Sequence, residues 1–307
     1  MAMLERLRNA AADTLMLFVV PCGVALLPWR FGFALLKRLA RSERLYRLSV
    51  NPAWDAARAH CPDGDEREWK YRFRLLRLVD HADVYLAMLR GRRWRRRHVG
   101  ETGDWPAPGP CVFLTYHWGA GGWVWPRLRE LGLRAHFIAR RASGRALGMT
   151  RLSHWFGSLR AHSLRRSSGA APIFTGSSAD AIERTLVAGD GVVGMLDLPA
   201  RAEQYAFTLP LLGGCVRFPA GLVRIAVERK LPLALFSCGL DFESGQRDIR
   251  IEVLPRDLMP EQIMQRYAAH LESRLRVTPA AWQIWREAPA MFVAAATGAN
   301  APVQGLE

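Results

Sequence analysis

The sequence predicts an α/β fold, with a largely parallel central sheet flanked by helices and a helical segment leading into it from the N-terminus. Three observations predict it. Short apolar runs that suit buried strands recur at 111–116, 135–139, 171–174, 192–196 and 233–237. Segments with helical apolar spacing, such as 123–131, 178–188 and 221–229, fall between them, and strands alternating with helices of about ten residues imply parallel strand-helix-strand units. The chain has 307 residues and is half hydrophobic, enough to bury a full core. The organisation read from it is an N-terminal segment at 1–48, one α/β domain at 49–290 and an Ala-rich tail at 291–307.

The N-terminal segment carries an apolar run from Leu15 to Trp29, preceded by Arg6 and Arg8 and followed by Arg30, Lys37, Arg38, Arg41 and Arg44. A membrane span needs about twenty residues, so the run is short for one. Pro21 and Pro28 break a straight helix, and no Ala-x-Ala cleavage site follows. Continued through Phe31, Phe33, Leu35 and Leu36, it fits a membrane-associated helical segment, bent and partly inserted, with arginines at headgroup level. Basic residues on both flanks then keep the body of the protein on the cytoplasmic side. A buried core helix is the other reading of the same run.

From 51 to 99 the pattern is helical, with Trp69, Phe73, Leu76, Val79 and Val84 at three- and four-residue steps, and this reads as scaffold. It ends in the densest basic cluster of the chain, 90–98, which is either a solvated face or, because Trp94 is interleaved, a contact with the headgroup layer. A loop rich in Gly and Pro at 100–110 leads into the next strand.

Charge and cysteine content limit the partners. The formal net charge is +15, carried almost entirely by arginine, with a pI near 10.7. Such a surface suits an anionic partner: phospholipid headgroups, an acidic carrier protein or nucleic acid. Nucleic acid is set aside, because there is no zinc-finger spacing, no aromatic RNP strand and no basic region feeding heptads. The five cysteines are odd in number, widely spaced and without a CxxC pair. Neither a disulfide frame nor a metal site is predicted, no cofactor is expected, and the thiols read as reduced and mostly buried.

One histidine is placed for chemistry. The strand at 111–116 delivers His117 to a turn, Trp118-Gly119-Ala120-Gly121-Gly122, that opens a helical segment. Open α/β sheets put their sites at the carboxyl ends of strands. Histidine titrates in the range a general base needs, and Gly119, Gly121 and Gly122 let backbone N–H groups approach a ligand.

A second block runs Gly191-Val-Val-Gly-Met195-Leu196-Asp197, then Thr208 to Gly221 through Arg217, Phe218 and Pro219, then an apolar helix into 231–236. The chain ends its pattern on Pro279-Ala-Ala-Trp282-Gln-Ile-Trp285-Arg286. Read together and in this order, these stretches resemble the lysophospholipid acyltransferase superfamily, in particular its lipid A lauroyl/myristoyl branch.

The resemblance spans about 10–290. It implies acyl transfer from an acyl-carrier protein or acyl-CoA donor to a hydroxyl of a lipid or glycolipid, at the cytoplasmic face of the inner membrane, with anionic membrane lipid as a partner. His117 is then the catalytic base. The substrate-binding positions are Arg140, Asp197, Arg201, Arg217, Gly119 and Gly121, with Ser143 to Arg145 standing where the family has an asparagine.

The family's H-x4-D/E motif places an acid five residues after its histidine, and here that residue is Gly122. Three consequences compete. A distant carboxylate such as Asp197, Asp104 or Glu130 fills the place; a substrate phosphate fills it; or the protein has given up transfer and keeps only a lipid or acyl-carrier site. The tryptophans of 282–285 are expected to serve in core packing or at the membrane interface.

Overall fold

The computed structural model of the protein describes residues 13–62, 64–140, 151–175 and 178–293. Arg6 and Arg8, the 143–145 segment and the tail from 294 onward lie outside the described residues.

A π-helical turn, Leu15–Val19, runs into α1 (Val20–Leu26), and Pro28 sets the bend before α2 (Trp29–Ala40). Val24, Ala25, Trp29, Phe33, Leu36 and Ala40 are buried against a long helix of the domain, so this segment is built into the core rather than appended to it. Leu26, Phe31 and Leu35 remain exposed on its outer face. Among the described residues, no helix is long and apolar enough to cross a membrane.

Next come α3 (Arg47–Ala57) and α4 (Glu66–Leu89). Asp65 caps α4 by accepting the N–H groups of Arg67 and Glu68 at 2.8 and 3.3 Å, and all five apolar positions predicted for this helix are buried. The basic cluster forms α5 (Arg92–His98). Its Trp94 turns inward and stacks on Trp123 with ring centroids 4.9 Å apart, so this indole belongs to the protein and not to a headgroup layer.

The strands are β1 (Val99–Thr102), β2 (Val112–Thr115), β3 (Ala135–Ala139), β4 (Ile173–Phe174), β5 (Gly191–Met195), β6 (Ala206–Leu211), β7 (Gly214–Pro219), β8 (Leu233–Leu240), β9 (Arg247–Val253) and β10 (Phe292–Val293). Between them lie α6 (Val124–Glu130), α7 (Arg151–Ser168), α8 (Ser178–Val187), α9 (Gly221–Glu228) and α10 (Pro260–Val277).

Seven strands form the main sheet in the order β1-β9-β8-β2-β5-β3-β4. Every pairing in it is parallel except the β8–β9 hairpin. The largely parallel sheet flanked by helices is thus present. Its antiparallel hairpin and the exposed edge strand β1, whose Val-Gly-Glu-Thr sequence has no apolar run, go beyond what the sequence pattern carried.

A second sheet, β10-β7-β6, is antiparallel, and its β6–β7 hairpin comes from 206–219, where no strand is expected from the sequence. Its pattern is masked by Pro210 and the Gly213-Gly214 turn. Phe292 and Val293, the second and third residues of the Ala-rich tail, supply β10.

The sheet's alternation sorts the core into two layers. Val112, Leu114, Val192 and Leu235 face α10 and the C-terminal tryptophans, whereas Phe113, Val193, Ala234 and Phe236 face α2, α4 and α6. Because β2, β5 and β3 are neighbours and parallel, the residues that follow their carboxyl ends, His117, Asp197 and Arg140, arrive on one rim of the sheet.

Candidate active site

His117 stands two residues beyond β2 and Asp197 two beyond β5, on adjacent strands. The two side chains meet, with His117 Nδ1 lying 3.0 Å from Asp197 Oδ1. The backbone N–H of His117 donates to Asp197 Oδ2 at 2.8 Å, and Trp282 Nε1–H donates to the same oxygen at 2.8 Å.

Asp197 has no exposure to solvent, and a buried carboxylate is tolerable only when donors satisfy it. Here three do. Because the carboxylate can only accept, Nδ1 carries the proton and Nε2 is left with its lone pair. The His117 side chain is 27 % exposed, so the unprotonated nitrogen is on the accessible edge of an otherwise packed ring.

Burial opposes the charged form of His117, but the charge and hydrogen bond of Asp197, with help from Glu287, outweigh it and raise the imidazole above its ordinary pKa. Arg160 opposes this shift. That arginine is held by Asp80 of α4 in a two-pronged ion pair, Nη2 to Oδ1 at 2.9 Å and Nη1 to Oδ2 at 2.5 Å. Its side chain remains 42 % exposed.

The turn after His117 is fixed by strand-like contacts with the C-terminal segment. Gln283 N–H donates to His117 O at 2.8 Å, Gly119 N–H donates to Ala281 O at 3.0 Å, and Gln283 Nε2 donates to Gly119 O at 2.7 Å. Ala120 N–H is taken by Cys238 O of β8 at 2.9 Å.

Gly119 has φ +53, and a Cβ there would lie 2.2 Å from the Cys238 carbonyl oxygen. Its glycine character therefore serves the close approach of two backbones, and its N–H is occupied, so it does not serve as a ligand donor. Gly121 and Gly122 face open space, and Gly121 begins the 3-10 turn that leads into α6.

The other predicted positions separate. Arg140 is exposed at the end of β3. With strands spaced about 4.8 Å apart, it is roughly 10 Å along the rim from His117. Arg201 is exposed in the loop after Asp197.

Arg217 on β7 donates to the carbonyls of Arg201, Ala202 and Gln204 at 2.8, 3.3 and 3.2 Å. Its guanidinium thus staples the 201–204 loop. Asp197, expected among the substrate-binding residues, is sealed behind His117 and touches the imidazole instead. Asp104 and Glu130 hold no contact with His117, and Glu130 pairs with Arg92 and Arg95 of α5.

Trp282 is the residue the sequence understated. It is fully buried, which excludes a membrane contact, and beyond packing it donates to the acid. A buried indole N–H requires an acceptor, and that requirement was the available signal. Asp80 and Asp83 carried a similar one, as acids placed among the apolar positions of α4.

Burial pushes the Cys111 thiol up to about 12 and the Cys61 thiol up to about 11, which disfavours the thiolate at both. Among the described residues, no group of three or more His, Cys, Asp or Glu is arranged to hold a metal ion.

No protein-family model and no curated protein sequence matches this chain. Among solved structures it is similar to the 1-acyl-sn-glycerophosphate (LPA) acyltransferase PlsC from Thermotoga maritima, at 12% identity over 80% of this chain and 93% of that one, with a TM-score of 0.37. At that degree of superposition the likeness is loose, and the chemistry is better judged from the His117 site itself.

Proposed function

We propose that the protein is a membrane-associated O-acyltransferase that moves an acyl chain from an acyl-carrier or CoA thioester to a hydroxyl of a lipid or glycolipid acceptor. The observation that supports this reading is the His117–Asp197 pair, an accessible imidazole nitrogen backed by a buried, fully satisfied carboxylate. Asp197 takes the place left empty by Gly122, so the site holds both halves of a general-base dyad.

In this reading Nε2 of His117 removes the acceptor's hydroxyl proton as its oxygen bonds to the thioester carbonyl carbon. Collapse of the tetrahedral intermediate breaks the C–S bond, and the imidazolium returns its proton to the departing thiolate. Asp197 holds the ring in the tautomer that leaves Nε2 free and stabilises the imidazolium. Arg160, Arg140 and Arg201 are the cations available to anionic groups of donor or acceptor, because guanidinium forks suit phosphate oxygens.

The order of the sequence motifs favours a lipid or glycolipid as the acceptor class. The net charge of +15 favours work at the anionic cytoplasmic leaflet of the inner membrane.

The test is transfer of radiolabelled acyl chains from acyl-carrier protein and from acyl-CoA on membranes bearing the wild-type protein or His117→Ala, with lipid products resolved by thin-layer chromatography. A product that disappears in the variant supports the proposal and identifies the acceptor. A rate unchanged by His117→Ala removes it.

A further inference from the structure

A groove of about 710 Å³ lies between α2 and the turn of the β8–β9 hairpin, at the sheet end that also carries His117 but lined by none of the residues that contact it. Its walls are Arg30, Lys37, Arg38 and Arg41 on one side and Glu243 with Ser244 on the other, over a floor that includes Phe33. Lys37 is tied to Glu243 at 2.8 Å, which anchors the helix to the hairpin. Gly245, with φ +72, packs directly under the Phe33 ring and fixes the hairpin's approach. Arg30, Arg38 and Arg41 are exposed, and among the described residues no carboxylate pairs with any of them. Three guanidinium groups without a carboxylate partner on the wall of a preformed groove, one of them, Arg30, also 4.6 Å over the Phe31 ring, are a seat for a polyoxygen anion.

The rest of α2 indicates where that anion comes from. At about 100° per residue, Arg30, Lys37 and Arg41 fall within ~40° of one another around the helix, and Arg38 lies ~60° beyond Arg41. Phe31 and Leu35 continue the same direction by a further ~20° and ~60°, and they are 54 % and 40 % exposed. Leu26 and Leu27, at the bend into α2, are 68 % and 40 % exposed. A helix that presents a core face, then a stripe of cations, then an uncovered apolar stripe has the layout of an element lying in a lipid interface. An acidic protein would pair with the cations and leave the exposed Phe31 and Leu35 uncovered.

We infer that this groove seats the phosphate-bearing headgroup of an anionic phospholipid while Phe31 and Leu35 enter the acyl boundary beneath it. The site orients the protein on the bilayer and is separate from the acceptor hydroxyl at His117. The inference rests on the membrane association proposed above and not on acyl transfer.

Vesicle flotation tests it, with phosphatidylglycerol-containing vesicles compared with phosphatidylcholine alone at one ionic strength. Arg30→Gln/Arg38→Gln/Arg41→Gln is set against a charge-matched control on α5, Arg93→Gln/Arg96→Gln/Arg97→Gln. Near a charged leaflet each cation is worth about 1 kcal/mol, so the groove variant is expected to lose roughly a hundredfold in apparent affinity for the anionic vesicles while the control loses far less. Phe31→Ser/Leu35→Ser is expected to weaken binding to both kinds of vesicle. Equal losses in the two arginine variants mean a diffuse charge effect and overturn the inference. Undiminished binding by Phe31→Ser/Leu35→Ser overturns it as well, and leaves the groove to a soluble phosphate or an acidic protein. Failure of the wild-type protein to bind any vesicle ends both this inference and the membrane association, whereas vesicle binding that survives loss of the groove ends this inference alone.

Discussion

At the scale of the residue, the question is which carboxylate serves His117, and the contacts select Asp197. Asp197→Asn keeps the size and one acceptor oxygen but no longer fixes the Nδ1–H tautomer, so acyl transfer should fall by roughly 10²- to 10⁴-fold while the fold persists. Steady-state rates with a circular dichroism control check this. The pH profile gives an independent readout, because a base whose pKa is raised is protonated, and idle, up to a higher pH. The acid limb of kcat/KM in the wild type should therefore lie above the ordinary imidazole value of about 6.5, and should move down when the charge at Asp197 is removed. Gly122 tests the same assignment from the other side. Its surroundings are open, so Gly122→Glu is sterically allowed, yet Nδ1 is already occupied, and the rate should stay within about threefold of wild type. A large gain in rate would mean that Asp197 is not the working acid.

At the scale of the element, the site depends on a turn clamped between β8 and the 279–285 segment. Two of its glycines differ in kind. Gly119 combines φ +53 with a Cβ position 2.2 Å from a backbone oxygen, so Gly119→Ala must displace either the turn or β8. It is expected to cost about 3 kcal/mol or more, read as a loss of thermal stability together with activity. Gly121→Ala, in open space, should be within about 0.5 kcal/mol of wild type. The same elements show what was legible in advance. His117 was marked because an apolar strand ends on it, and the buried positions of α4 followed from their spacing. The partnership of His117 with Asp197 was one of three possibilities, since a contact across 80 residues follows from the pairing of β2 with β5 and leaves no local pattern. The β6–β7 hairpin was missed because Pro210 and paired glycines imitate a loop, and the staple formed by Arg217 was missed with it.

At the scale of the whole molecule, the N-terminal helices, the basic helix and the active-site turn converge on one buried arginine. Arg247 of β9 is fully buried, paired with Asp83 of α4, and lies over the rings of Trp29, Trp94 and Trp123 at 4.1, 5.4 and 5.6 Å. This junction ties the described helices of the N-terminal segment to the α/β domain: Trp29 closes the cage and donates to Gly245 O at 3.2 Å. Burial raises the Asp83 carboxyl to about 6, with Arg247 working against that rise. Arg247→Met keeps most of the volume but leaves a buried carboxylate without its partner, and should destabilise the protein by about 3–5 kcal/mol at neutral pH. The sign of the pH dependence follows from the raised pKa. A carboxyl that binds its proton more tightly in the folded chain than in the unfolded one lets the fold gain stability as pH falls through about 6 toward the ordinary carboxylate range, and that gain is absent above it. The deficit of Arg247→Met should therefore shrink on acidification, and adding Asp83→Asn should recover part of it at neutral pH. Denaturant melts of the single and double variants at two pH values measure both effects. A deficit that is independent of pH and untouched by Asp83→Asn would assign the role of Arg247 to its stacking on the three tryptophans, with the ion pair contributing nothing measurable.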